Sequence, residues 1–177
     1  TEPAATFDPV PRRLSGLMMA WVPIKTASPT TLPPLTTEYG DKAVQAYNYR
    51  LCFTTNEANR LPVAPPPGYD PARFELLARY LEALAAAGKN PKLAQFWNPI
   101  WMPNHKTDIN NNGGFSTDFI GANYGYPEAD YATRDRLARQ HEDYIRGFLT
   151  FLATSPRVPA NIREEMQQWG PCKDEFL

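Results

Sequence analysis

Between Val44 and Thr54 the chain alternates, with Tyr47, Tyr49, Leu51 and Phe53 on one side and Ala46, Asn48, Arg50 and Cys52 on the other. A two-residue period rich in aromatic residues predicts a half-buried strand. Its second side sets an amide and a guanidinium two positions apart, able to project together toward a ligand. Leu17 to Ile24, LMMAWVPI, is a continuous apolar run that predicts a buried strand, with Pro23 at its end or at an edge position. Phe96 to Met102, FWNPIWM, reads as an aromatic strand or bend interrupted by Pro99.

Helical periods lie between and after these runs. Beyond Pro65-Pro66-Pro67-Gly68, Asp70 is placed to cap a helix, Pro71 suits its first position and Gly88 its stop. Phe74, Leu77, Leu81 and Leu84 recur at three- and four-residue steps, the apolar stripe of a core-packing helix. A long helix is predicted from Asp130 to Ala153, where Leu137, His141, Tyr144, Ile145, Phe148 and Leu152 share a face. Gly147 weakens it without stopping it. A shorter one from Pro159 to Trp169 aligns Ile162, Met166 and Trp169 and ends at Gly170-Pro171. About three helices and separated strands, without βαβ alternation, predict an α+β fold around a small mixed or antiparallel sheet.

Composition changes this picture mainly in the connections. Most of the 19 prolines lie at Pro3 to Pro34 and Pro62 to Pro71, where a fixed φ and a missing donor enforce long extended loops. At 177 residues the chain fits a single domain or fragment that buries roughly two thirds of its unfolded surface. Residues 1–43 read as a proline-rich lead-in and 44–177 as the core. A net charge of −1 offers no basic field for nucleic acid, and no apolar run approaches the ~20 residues of a membrane span. The expectation is a soluble chain. Thr1 to Thr6 lacks the basic and apolar parts of an intact signal peptide and an initiator methionine, so a processed chain, or one cut from a longer protein, is expected. Cys52 and Cys172 are too few for a CxxC pattern and read as two unpaired structural thiols. A disulfide would instead point to an oxidising compartment, periplasmic or secreted.

The most unusual stretch is Lys106 to Asp118, KTDINNNGGFSTD, read as a polar loop. Three asparagines and two glycines favour turns and left-handed backbone. Trp97, Trp101 and Met102 precede the stretch, and Phe119, Tyr124 and Tyr126 follow it. Polar groups flanked by aromatics suit the lining of a pocket for a polyhydroxylated or heteroaromatic ligand, and a plain surface loop is the competing reading. Asp108 and Asp118 lack the spacing of a calcium loop, so no metal is expected. Lys106 has a surface ion pair as its default, while His105 beside it is a candidate general base. His141, among apolar neighbours on a helix face, reads as a core histidine. No GxSxG, HExxH, P-loop, CxxC or GxGxxG motif occurs, and Gly113-Gly114 opens no helix at the required spacing.

Several blocks in order nevertheless match a known pattern: QAYNYRLCFTTNEANRLP (Gln45 to Pro62), PPGYDPARFELLARYL (Pro66 to Leu81), the run from Pro103 to Arg134, HEDYIRGFLTFLATSPRVP (His141 to Pro159) and WGPCKDEF (Trp169 to Phe176). Over about Val44 to Phe176 the chain resembles FAD-dependent oxidoreductases often labelled putative xanthan lyases. The resemblance implies FAD as cofactor of the full-length protein, held by a GxGxxG segment N-terminal to these blocks. This chain then corresponds to the substrate-side portion, inactive alone, whose partners are that FAD-binding portion and a small-molecule or carbohydrate substrate. It places Asn48, Asp108, Asn110, Asn111, Asn112, Ser116, Thr117 and Asp118 as candidates for the flavin or substrate cleft. Lys106 or Arg50 could stabilise negative charge on reduced flavin or an oxyanion, and His105 could take a substrate proton. A non-catalytic glycan- or partner-binding module is the alternative.

Overall fold

The computed structural model describes the strand residues 13–14 and 17–21 and everything from residue 43 to residue 175. Among the described residues six strands form one sheet: β1 (Arg13–Leu14), β2 (Leu17–Trp21), β3 (Tyr47–Thr54), β4 (Trp97–Met102), β5 (Lys106–Asn111) and β6 (Gly170–Pro171). Three α-helices among the described residues accompany it: α1 (Glu75–Ala86), α2 (Tyr131–Thr154) and α3 (Ala160–Gln167). The fold is α+β. Every pairing is antiparallel, in the order β1-β2-β3-β5-β4. β5 and β6 both pair with Phe53, so β6 prolongs the edge of β3 that β2 leaves free.

The strand expected at Val44 begins three residues later, at Tyr47, and of the one expected from Leu17 to Ile24 the residues Leu17–Trp21 form β2; residues 22–24 and the connections around Pro29 to Pro34 lie outside the described residues. Pro99 does not interrupt β4, because β4 is the outermost strand, where a residue that cannot donate is tolerated. The larger correction concerns Lys106 to Asn111. These residues form no loop but β5, hydrogen-bonded on both sides between β3 and β4. Its alternation is real but quiet, Thr107 and Ile109 inward against Lys106, Asp108 and Asn110, and the asparagine-rich composition masks it. The hairpin turn before it needs left-handed backbone at Asn104 (φ 64) and His105 (φ 56), as tight hairpins do.

Helix signals land close to expectation. Asp70 accepts the Ala72 N–H at 2.9 Å and caps a 3₁₀ turn, Pro71–Phe74, that runs into α1. Asp130 caps α2 through Thr133 N–H at 2.7 Å. Gly147 has a packing reason: a Cβ there would sit 3.0 Å from the Phe74 ring. All the helices lean on the sheet face that carries Tyr49, Leu51, Phe53, Trp97 and Ile109, and these join Leu77, Leu81, Ile145, Phe148, Ile162 and Met166 in one core. Tyr49 anchors β3 to α2 by donating its hydroxyl to Ala138 O at 3.1 Å.

Candidate functional site

Because strands alternate, the residues between those core positions point the other way. Register sets Asp108 opposite Cys52 and Ile100, and Asn110 opposite Asn98. Asn48, Arg50 and Cys52 of β3, Lys106, Asp108 and Asn110 of β5, and Asn98, Ile100 and Met102 of β4 therefore share one face. At its centre Arg50 grips Asp108 with both ends of its fork, Nε to Oδ1 at 2.8 Å and Nη2 to Oδ2. The pair keeps 29% and 27% of its side-chain surface open, enough for a ligand to reach either partner. Asn110 is half-buried, and Ile100 and Met102 are exposed, at 49% and 40%. A charged pair ringed by amides and apolar side chains can orient hydroxyl groups and cover a hydrocarbon ring.

Lys106 lies on this face but is occupied. Its ammonium meets Asp174 at 2.9 Å and also Glu175; the two carboxylates raise the Lys106 pKa, and the ammonium, with the Asn59 hydrogen bond, lowers that of Asp174. His105 sits exposed at the hairpin tip, and its carbonyl accepts the Thr54 hydroxyl at 2.6 Å.

Ser116 to Asp118 close a buried seam at one end of the sheet. Asn48 Nδ2 donates to Thr117 Oγ1 at 2.9 Å, and Asn111, on the helix-covered side, donates to Asp118. Consecutive residues thus bond to opposite faces. The Asp118 backbone N–H donates to Ser116 Oγ at 3.2 Å, and Tyr144 donates its hydroxyl to Ser116 O at 3.0 Å. Burial pushes the Asp118 carboxyl up to about 6, with the Asn111 hydrogen bond opposing. Burial, with the nearby Asp118 charge, lifts Tyr144 to about 12. Asn48 Oδ1 and Asp118 Oδ1 are buried without a hydrogen-bond partner.

Asn112 is separated from both groups. Its Nδ2 donates to Ala94 O at 2.6 Å, and a Cβ on Gly113 (φ +73) would stand 2.5 Å from Gln95 O. Only glycine fits there. Asn112 to Gly114, with Tyr80, Gln95, Phe96 and Phe115, line an open cleft of about 380 Å³ on the helix side.

The sequence-predicted residues thus divide three ways. Arg50, Asp108, Asn110 and Lys106 share the open face, with His105 at its rim. Asn48, Asn111, Ser116, Thr117 and Asp118 form the seam, and Asn112 holds a turn. Sequence reasoning missed Asn98 and Ile100 and took Met102 only as a flank of the polar stretch; the period-two spacing of the three within FWNPIWM carries the signal once pairing with β5 is known. It also missed Asp174 and Glu175 as the partners of Lys106. His141 is fully buried, with Nδ1 2.8 Å from Leu137 O, and burial lowers its pKa.

A family model described as FAD dependent oxidoreductase matches residues 6–175. No curated protein and no solved structure matches the chain. The described residues do not fit the phosphate end of that cofactor. Gly113-Gly114 does follow a strand, but the next helix begins only at Tyr131, and Gly113 serves close approach to the chain's own Gln95 carbonyl. A pyrophosphate cradle needs the glycine turn to open a helix directly.

Proposed function

Since the chain belongs to the FAD-dependent oxidoreductase family, we propose that it supplies the substrate-side wall of such an enzyme, the nucleotide being held by another part of the protein. The supporting observation is the open face: helices cover one side of the sheet, while the other presents the Arg50–Asp108 pair between amides and exposed apolar side chains. The substrate class is a hydroxylated, carbohydrate-like molecule, and the reaction class is oxidation at an alcohol carbon, with flavin as hydride acceptor.

Each residue has a distinct part in this reading. Asp108 accepts a substrate O–H and so turns the reacting carbon. Arg50 faces the oxygen as negative charge builds on it. Asn98 and Asn110 bind neighbouring hydroxyls, and Ile100 and Met102 cover the apolar side of the ring. His105, at the hairpin rim, takes the released proton to solvent. Charge stabilisation falls to Arg50 rather than Lys106, because two carboxylates already satisfy Lys106.

The test is flavin absorbance and turnover in the protein containing this chain and its Arg50→Gln variant. We expect bound flavin in both, turnover lowered about 10- to 100-fold in the variant, and a melting temperature within a few degrees, as for a part-exposed ion pair. A colourless protein that takes up no FAD removes the reading. Glycan binding without flavin reduction would favour the binding module.

A further inference from the structure

We infer that Cys52 and Cys172 form a disulfide site that staples the last strand to the centre of the sheet, closing when a small-molecule disulfide oxidises the pair. The register carries most of the case. β6 pairs Gly170 with Thr54 and Pro171 with Phe53, so the next rung sets Cys172 opposite Cys52, and Cys172 N–H donates to Cys52 O at 3.1 Å. Facing residues of an antiparallel pair lie about 4.5–5.5 Å apart at Cα, inside the roughly 4.4–6.8 Å that a disulfide spans. The two sulfurs stand 3.4 Å apart as free thiols. A side-chain rotation closes that gap to a bond of about 2.05 Å.

The surroundings hold this geometry in place. Leu61 N–H donates to Pro171 O at 2.9 Å and Lys173 N–H to Asn59 O at 2.8 Å. Gly170 packs so tightly against Leu61 that a Cβ would overlap its carbonyl. Just beyond Cys172 and Lys173 come Asp174 and Glu175, the two carboxylates on Lys106. A bridge at Cys172 therefore also pins that ion cluster to the open face.

The exchange balances as follows. One cysteine loses its proton, and its sulfur attacks the S–S bond of oxidised glutathione, releasing one reduced glutathione and leaving a mixed disulfide. The second cysteine sulfur, losing its own proton, displaces the other. The products are one Cys52–Cys172 bond and two thiols, which carry off the two electrons and two protons. Both thiols are buried, and burial raises the pKa of each. In the closed fold they are protonated, and exchange proceeds when residues 170–175 lift from the sheet.

The test is to incubate the protein with oxidised glutathione, alkylate it in denaturant and map the cysteines by mass spectrometry, with thermal melts of oxidised and dithiothreitol-reduced samples. We expect loss of the mass of two hydrogens, a Cys52–Cys172 linked peptide, and melting about 10 °C above the reduced form, since a bridge between residues 120 positions apart constrains a long unfolded loop. Cys172→Ser and Cys52→Ser should each abolish all three changes. The wild-type comparison decides the matter even if a variant fails to fold. Full alkylation after oxidation, glutathione adducts alone, bridges only between molecules, or a linked form that melts lower would each overturn the assignment. Flavin content does not enter the measurement, so its outcome stands apart from the enzymatic reading.

Discussion

The two faces of the central sheet are built from the same three strands and carry opposite properties. Toward the helices, Tyr49, Leu51, Phe53, Trp97 and Ile109 are each at most 2% exposed and interlock edge to face, Phe53 on Trp97 and Trp97 on Trp169. Away from them, Arg50, Asp108, Asn110, Ile100 and Met102 stay within reach of a ligand. One residue step along a strand decides between the two, because the pleat turns successive side chains to opposite sides. Burial is concentrated on one face, which leaves the other open to solvent.

Breaking the covered face should have the largest effect. Trp97→Ala removes a side chain wedged between Phe53 and Trp169, and about 3–5 kcal/mol should be lost in denaturant unfolding. A loss under about 1 kcal/mol would mean that the two faces are not divided in this way.

The seam between the faces gives a sharper, pH-dependent test. Burial lifts the Asp118 carboxyl from 3.8 to about 6, so the folded state holds that proton more tightly than the unfolded one. Its contribution is fully present below about pH 4 and is lost as the pH rises through 6. Asp118→Asn removes this titration. The melting temperature of the variant relative to the wild type should therefore climb between pH 4 and 7, and a flat difference would show that the carboxyl titrates normally.

The smallest expected change lies on the open face. Ile100→Ser should shift stability by no more than about 0.5 kcal/mol while weakening substrate binding. If stability instead falls as it does for Trp97→Ala, Ile100 belongs to the core and the open face is misassigned.

Much of the architecture was legible in the chain. The cap at Asp70 and the three- and four-residue steps of α1 and α2 are local signals, set within one turn of backbone. β3 announced itself through strong aromatic alternation. β5 did not, because asparagine and glycine favour turns in isolation and only the partners on both edges hold Lys106 to Asn111 extended. Of the candidate residues, the sequence pointed to Arg50, Asp108 and the asparagines as one polar group. Their division into an open face, a buried seam and a glycine-locked turn could not be read from spacing, since contacts such as Asn48 with Thr117 join positions 69 apart.

The sequence by itself determined the helices, the best strand, the α+β class and, through its ordered blocks, the family. Those rest on local backbone preference and on residue order, both written along the chain. Tertiary structure alone decided that Arg50 clasps Asp108, that Lys106 is taken by Asp174 and Glu175, and that Cys172 faces Cys52. The physical reason is register: antiparallel pairing fixes which distant residues share a face, and no local preference encodes it.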